Sequence, residues 1–245
     1  MGRMEIERIV QSETARGSFR VHRSAYKSDE IFQREKELIF SKCWLYLGHQ
    51  SELPDKGSFV TRRVGGMDLI FARGRDGEIG AYFNSCTHRG TQIYHERGGT
   101  AKNFSCPYHG WVFNTSGKLL SMNTDRGFVD DINADEHLNL KRPARLENYR
   151  GFYFVNYNPR AISLYDYLDD ARGAIDMICD QSETEMVILP GDHSYSIRGD
   201  YKLYALLYDD PTNVKPRYDL LYRFAQTDVF KSLFAPDYPS LSFDA

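Results

Sequence analysis

Cysteine and tryptophan are scarce in this chain, four and two residues among 245. No apolar run approaches the roughly 20 residues that span a bilayer, so no membrane span is expected. The opening "MGRMEIERIV" is charged throughout and has no apolar core, so no secretory signal is expected either. Ile6 stands where a myristoylation signal wants Ser or Thr. Acids and bases are interspersed at a net charge of -3, without the basic stripe that follows a phosphate backbone, which argues against a nucleic-acid partner. Repeats and low-complexity tracts are absent. These absences give the expectation of a cytoplasmic protein, where reducing conditions disfavour structural disulfides. What is present is ordinary for a globular chain, 41% hydrophobic and 27% charged, and long enough for one large domain or two modest ones.

Texture changes along the chain. "YKSDEIFQREKELIFS" (26–41) spaces Ile31, Phe32, Glu35, Leu38, Ile39 and Phe40 as an amphipathic helix would, with Ser28 or Asp29 as N-cap. From residue 42 onward, short β-branched and aromatic runs are cut by Gly-Gly, Asp-Gly and "TSGK" turns, the pattern of antiparallel strands in tight hairpins. A strand is placed at Arg150–Tyr157. "LYDYLDDARGAIDMICD" (164–180) reads as one helix with Leu164, Tyr167, Leu168, Ala171, Ala174, Ile175 and Ile178 on one face. "EMVILP" and "HSYSIR" read as two further strands, and 218–234 as a helix. The expected order is a helical arm (1–41), an all-β block (42–160) and the start of an α+β region (161–245).

Half of the cysteines lie in "NSCTHRGTQIYHERGGTAKNFSCPYHGWVF", each beside a histidine: Cys86 with His88, Cys106 with His109. Seventeen residues separate His88 from Cys106, enough for one strand to leave a hairpin tip and another to arrive at a second. Two such tips facing each other enclose a site of two thiolates and two imidazoles. A finger-type zinc site takes both cysteines from one turn and both histidines from a helix. Here each tip contributes one of each, which suits a two-metal group with sulfur at one end and nitrogen at the other. A Rieske [2Fe–2S] cluster is such a group, and its neutral imidazoles raise the reduction potential to roughly -150 to +300 mV, against about -400 mV for a plant-type ferredoxin. Gly90 and Gly110 are expected to let backbone N–H groups approach the sulfurs, Pro107 to stiffen the second loop, Tyr108 and Trp111 to cover the group, and Arg89 to hold the first loop. A structural zinc site on the same four residues is the bland alternative.

"CTHRG" followed by "CPYHGW" at this spacing resembles the Rieske domain of aromatic-ring-hydroxylating oxygenases, specifically their large (α) subunit. Trp44, His49, Glu52, Leu53 and Gly57 match the same family's lead-in, and the resemblance covers about residues 20 to 203. It implies a mainly β fold: an antiparallel β-sandwich carrying the cluster, followed by the start of a helix-grip catalytic domain. It implies Cys86, His88, Cys106 and His109 as cluster ligands. It further implies a mononuclear Fe(II) on two histidines and an aspartate, electrons from a ferredoxin or flavin reductase, an aromatic substrate, and an α3 or α3β3 assembly. The departure comes after "DYKL" (200–203). Counting without gaps puts Asp210 at the position that bridges subunits, but Asn213 and Tyr218 where the family has histidines, and no histidine follows His193. The expectation is a chain that loads the cluster and lacks the mononuclear site, from a shortened or altered α subunit.

Two other readings stay open: a non-catalytic carrier like the Rieske ferredoxins, and a fragment without function. The acidic stretch 124–137 reads as a solvated loop. His49 is expected to make a structural hydrogen bond near the core, His22, His95, His137 and His193 to have surface or core roles, and Cys43 and Cys179 to be buried thiols.

Overall fold

A computed structural model describes residues 9–13, 18–122, 136–181, 183–189 and 199–202. Contacts divide the chain into two compact units, Glu30–Asp192 and a second made of Met1–Asp29 with His193–Ala245. In the second, β1 (Val10–Glu13) pairs antiparallel with β2 (Ser18–Val21). A 3-10 turn follows at Arg23–Tyr26, where the His22 ring accepts from the Ser24 N–H. The expected helical arm therefore contains a hairpin. Short, polar "VQSE" and "SFRV" carry too few apolar residues to show a period. The helix itself is shorter than expected, α1 (Asp29–Glu35), and passes into a π turn at Lys36–Phe40.

Among the described residues, ten strands build the unit Glu30–Asp192. They are β3 (Leu45–His49), β4 (Ser58–Val64), β5 (Met67–Arg73), β6 (Ile79–Phe83), β7 (Gly98–Thr100), β8 (Asn103–Ser105), β9 (Val112–Asn114), β10 (Leu119–Ser121), β11 (Arg145–Tyr149) and β12 (Phe152–Asn156). They form three antiparallel sheets in the orders β6-β5-β4-β7, β10-β9-β8 and β11-β12-β3. The turns are where glycine allows them. Gly65 and Gly66, at φ 58 and 89, close the β4–β5 hairpin at the Val64↔Met67 register, as a two-residue mirror-image turn requires.

The central strand explains the layering. Leu69, Ile70, Phe71 and Ala72 of β5 are all fully buried. Successive side chains on a strand point to opposite faces. Ile70 and Ala72 accordingly join Phe59, Tyr82, Phe104, Trp111, Phe113 and Leu119 in one core. Leu69 and Phe71 join Leu47, Leu53, Val64 and Val155 in the other. The four-stranded sheet is thus packed on both faces, by the β8–β10 sheet on one side and the β3/β11/β12 sheet on the other. The mainly β sandwich expected from the sequence is what forms.

Three expectations are corrected. The strand expected at Arg150–Tyr157 is present but shorter, as β12 (Phe152–Asn156): Arg150 (φ 54) and Gly151 (φ 88) are the turn that joins it to β11, and the two pair from Arg145↔Asn156 to Tyr149↔Phe152. The helix over 164–180 is two, α2 (Leu164–Leu168) and α3 (Ala171–Cys179), broken where Asp169 takes φ 41. Ser163 caps α2 by accepting from the Asp166 N–H at 3.1 Å. Of the apolar face, Leu164 is buried while Tyr167 and Ile178 are exposed. Residues 185–189 of "EMVILP" enter no ladder among the described residues; the Ile188 N–H donates to Ser51 Oγ at 2.9 Å instead. "HSYSIR", the helix over 218–234 and the acidic loop up to residue 135 lie outside the described residues. No helix among the described residues is long and apolar enough to cross a membrane.

Gly151 gives a direct test of the β3–β12 contact. Its φ is 88, and a Cβ there would stand 2.4 Å from His49 Nε2, a ring that is 2% exposed. Left-handed backbone costs a side chain about 1–2 kcal/mol and overpacking about 1–3 more. Gly151→Ala is expected to lower unfolding stability by about 2–5 kcal/mol, read as a shifted denaturant midpoint at unchanged slope. A midpoint within error of the parent would contradict the contact.

Candidate metal centre

The two Cys/His loops are built on one frame. In the first, the Cys86 N–H donates to the Thr91 carbonyl at 2.8 Å, and the Gly90 N–H donates back to the Cys86 carbonyl at 2.8 Å. In the second, the Cys106 N–H donates to the Trp111 carbonyl at 2.8 Å, and the Gly110 N–H to the Cys106 carbonyl at 3.0 Å. Each loop therefore runs five residues from cysteine to closure, with a positive-φ glycine at the fourth: Gly90 at φ 75 and Gly110 at φ 69. A side chain is rarely tolerated in that conformation. These glycines donate to carbonyls. The amides directed at the Cys86 sulfur belong to His88 and Arg89. The first loop thus brings backbone N–H groups to a sulfur through amides other than the glycine's own.

The second loop joins β8 to β9 and is a hairpin tip, as expected. The first is not. β6 pairs with β5 and β7 pairs with β4, so the segment after β6 crosses two strands of the sheet. Asn84, 4% exposed, secures the crossing. Its Oδ1 accepts from the Ile93 and Tyr94 N–H groups at 3.1 and 3.0 Å, and its Nδ2 donates to the Tyr94 carbonyl at 2.7 Å. Thr87 Oγ1 ties the loop to residue 138 by donating to the Leu138 carbonyl at 2.6 Å. Arg89, expected to hold this loop, is exposed. Asn84 and Thr87 were not singled out from the sequence, and a polar residue just before the motif was the available sign.

The frame brings all four candidate ligands together. Cys86 and Cys106 are free thiols, 2% and 3% exposed, at the end of the core and within hydrogen-bonding reach of each other. Burial pushes the Cys86 thiol up to about 11; the His88 amide opposes this and the neighbouring Cys106 adds to it. The rings of His88 and His109 lie 4.6 Å apart at 65°. Burial holds the His109 imidazole below its ordinary value, helped by the charges of His88 and Arg89, which favours the neutral form a metal ligand needs. His88 Nδ1 is buried and has no hydrogen-bond partner in the structure, a costly state for a polar atom unless a metal meets it. Trp111, 5% exposed, lies against His88 with ring centroids 4.9 Å apart and planes 4° from parallel. Tyr108 is 62% exposed with its ring 3.7 Å from that of His109, so it sits at the rim rather than over the site.

The pairing is sulfur with sulfur and imidazole with imidazole. Among the described residues no three His, Cys, Asp or Glu side chains converge on a single ion. One tetrahedral zinc would need all four donors within about 2.0–2.3 Å of one point. A neighbouring sulfur pair and a neighbouring imidazole pair suit a group with two metals.

Comparison with known proteins agrees with this geometry. The family model described as the Rieske [2Fe-2S] domain matches residues 43–132. Those residues are a Rieske domain. A [2Fe–2S] cluster is the cofactor of such a domain. The chain is 33% identical over 200 residues to the toluate 1,2-dioxygenase α subunit of Pseudomonas putida, covering 81% of this chain and 44% of that protein. It is 36% identical over 189 residues to the anthranilate 1,2-dioxygenase large subunit of Acinetobacter baylyi, covering 76% and 40%. The naphthalene 1,2-dioxygenase of Rhodococcus sp., solved with indole bound, superposes with a TM-score of 0.68 at 32% identity, over 72% of this chain and 40% of that one. Over the shared residues the chain is similar to the large subunits of Rieske-type aromatic-ring-hydroxylating oxygenases. It spans under half the length of the curated relatives it matches.

The lead-in residues of the Rieske domain have structural duties. The Trp44 indole N–H donates to the Ile162 carbonyl at 3.0 Å. His49 and Glu52 form a reciprocal cap, with the His49 N–H donating to Glu52 Oε1 at 2.8 Å. The expected structural role of His49 is what the structure shows. Cys43 and Cys179 are half-buried rather than buried. Asp210, Asn213 and Tyr218 lie outside the described residues.

Proposed function

We propose that Cys86 and Cys106 hold one iron of the cluster and His88 and His109 the other. The domain then serves as the electron-transfer part of an aromatic-ring-hydroxylating dioxygenase α subunit. The observation carrying the assignment is the buried, unpartnered His88 Nδ1 beside His109, with two reduced, buried cysteines on the same two loops. The cluster supplies a one-electron couple. The chain's own part is to keep both thiols out of water, favour the neutral form of the His109 imidazole and direct the His88 and Arg89 amides at a sulfur.

In this reading a ferredoxin or flavin reductase delivers electrons, which pass toward a mononuclear iron where dioxygen attacks an aromatic ring. We take 42–160 as the cluster-bearing domain and 161–245 as the beginning of the catalytic one, with Asp210 as the inter-subunit bridge. Asn213 and Tyr218 are poor ligands for Fe(II), so the mononuclear site needs residues other than these. The assembly is α3 or α3β3, in the cytoplasm. The rival, a carrier like the Rieske ferredoxins, has no use for α2 and α3. Gel filtration separates the two, since a trimer supports the oxygenase reading and a clean monomer supports the carrier. For the cluster, anaerobically purified protein is expected to contain about two irons and two sulfides per chain and to give, after dithionite, the low-average-g resonance of a histidine-ligated centre. Stoichiometric zinc with no resonance would refute the assignment, and three irons per chain would show that a mononuclear site is present after all.

A further inference from the structure

Trp111 is bound to both cluster loops at once, by two different parts of the residue. Its carbonyl accepts the Cys106 N–H at 2.8 Å and closes the second loop. Its indole crosses to the first loop and lies flat on His88, at 4.9 Å and 4°. From the cores of both β8–β10 and the central sheet it is held in place, 5% exposed, with Phe113 at 6.3 Å. His109 has no such partner, because its neighbour Tyr108 is mostly in solvent and tilted by 36°. The two imidazoles are therefore held unequally. A rigid ring face fixes the plane of His88, while the plane of His109 is set at the surface.

We propose that Trp111 is a positioning residue for His88, which sets the plane of that imidazole and keeps water from it, and so sets the electronic structure of the cluster. The proposal rests on the ligand assignment above. A histidine side chain has a broad, nearly two-fold χ2 torsion, so packing decides where its ring plane settles. A parallel aromatic face at this distance permits sliding but resists tilting. Because the same residue closes the second loop, the orientation of a first-loop ligand is tied to the spacing between the loops. Exclusion of water has a separate consequence. With two thiolates and two neutral imidazoles the cluster is neutral when oxidised and carries one negative charge when reduced. Water near His88 stabilises the charged form and raises the potential.

The test compares three variants of the whole chain, each purified anaerobically. Trp111→Phe keeps an aromatic face. Trp111→Leu keeps apolar bulk and loses the face. Phe113→Leu removes a fully buried ring from the same core without touching His88. Iron per chain, the resonance of the reduced protein, the midpoint potential and the melting temperature are measured for each. The expected result is a wild-type spectrum and potential for Trp111→Phe and for Phe113→Leu, whatever their loss in melting temperature. Trp111→Leu should show spread g values and a raised potential, or lose its iron outright while Trp111→Phe keeps it. Equal behaviour of Trp111→Phe and Trp111→Leu, in whatever direction, overturns the proposal, since Trp111 then acts through volume alone. A wild-type chain with no histidine-ligated resonance refutes the ligand assignment instead, so the two failures are distinguishable.

Discussion

Cys106→Ala is expected to abolish the cluster, with iron falling from about two per chain to less than about a tenth of that, because a [2Fe–2S] centre cannot be held on three of its four ligands against chelation. Alanine is the informative replacement. Cys106 is 3% exposed among Ile70, Phe104 and Trp111, so a methyl group suits the pocket and leaves only the volume of one sulfur. That loss costs on the order of 1 kcal/mol. The loop frame survives too, since it uses the Cys106 N–H and carbonyl rather than the side chain. The larger part of any fall in melting temperature then comes from the missing cluster, whose binding energy is folding energy when the site is assembled only in the native state. Wild-type protein stripped of iron should melt within a few degrees of Cys106→Ala. A Cys106→Ala chain that retains iron and its visible spectrum would remove Cys106 from the ligand set.

The expected insensitivity of the loop frame follows from how the site is encoded. Two Cys/His pairs with a glycine four residues after each cysteine are legible in sequence because metal chemistry restricts the residue types so severely. The shared geometry of the loops is not legible, because the histidine sits at the second position in one and the third in the other. Aligning the pairs by their histidines conceals what aligning them by Cys86/Gly90 and Cys106/Gly110 reveals. The contact between Trp111 and His88 joins residues 23 apart through the sandwich and has no local signature. Asn84 belongs to the same class, a polar residue whose three hydrogen bonds become visible only when the first loop is seen to cross the sheet.

The sandwich shows a similar division. Gly65-Gly66, Asp76-Gly77 and Ser116-Gly117 announce their turns, since positive φ leaves little choice of residue. Arg150-Gly151 makes the same kind of turn with an arginine at φ 54, and β11 was missed with it. Helical period fares worst over 164–180. It finds the apolar positions, but the break at Asp169 and the exposure of Tyr167 and Ile178 depend on what lies alongside. Periodicity identifies a face, and only the fold supplies its cover.

His88→Cys tests the nitrogen end of the site through its most sensitive quantity. A third thiolate in place of a neutral imidazole adds one negative charge to both oxidation states of the cluster. The reduced state, already the more negative, is disfavoured more, and the surroundings do little to screen the change because Trp111 and the buried cysteines exclude water. The midpoint should fall from the roughly -150 to +300 mV range of histidine-ligated centres toward the value of about -400 mV found for plant-type ferredoxins, a drop on the order of 200 mV or more. Iron binding should be weakened but kept: a thiolate binds iron well, yet cysteine is shorter than histidine, and the first loop must move inward to bring the sulfur into range. The sign separates this effect from the one expected for Trp111. Losing the indole face raises the potential, whereas exchanging the imidazole lowers it, so a disturbance of the loop alone cannot mimic both. The outcome that removes His88 from the ligand set is a cluster retained in His88→Cys at the wild-type potential.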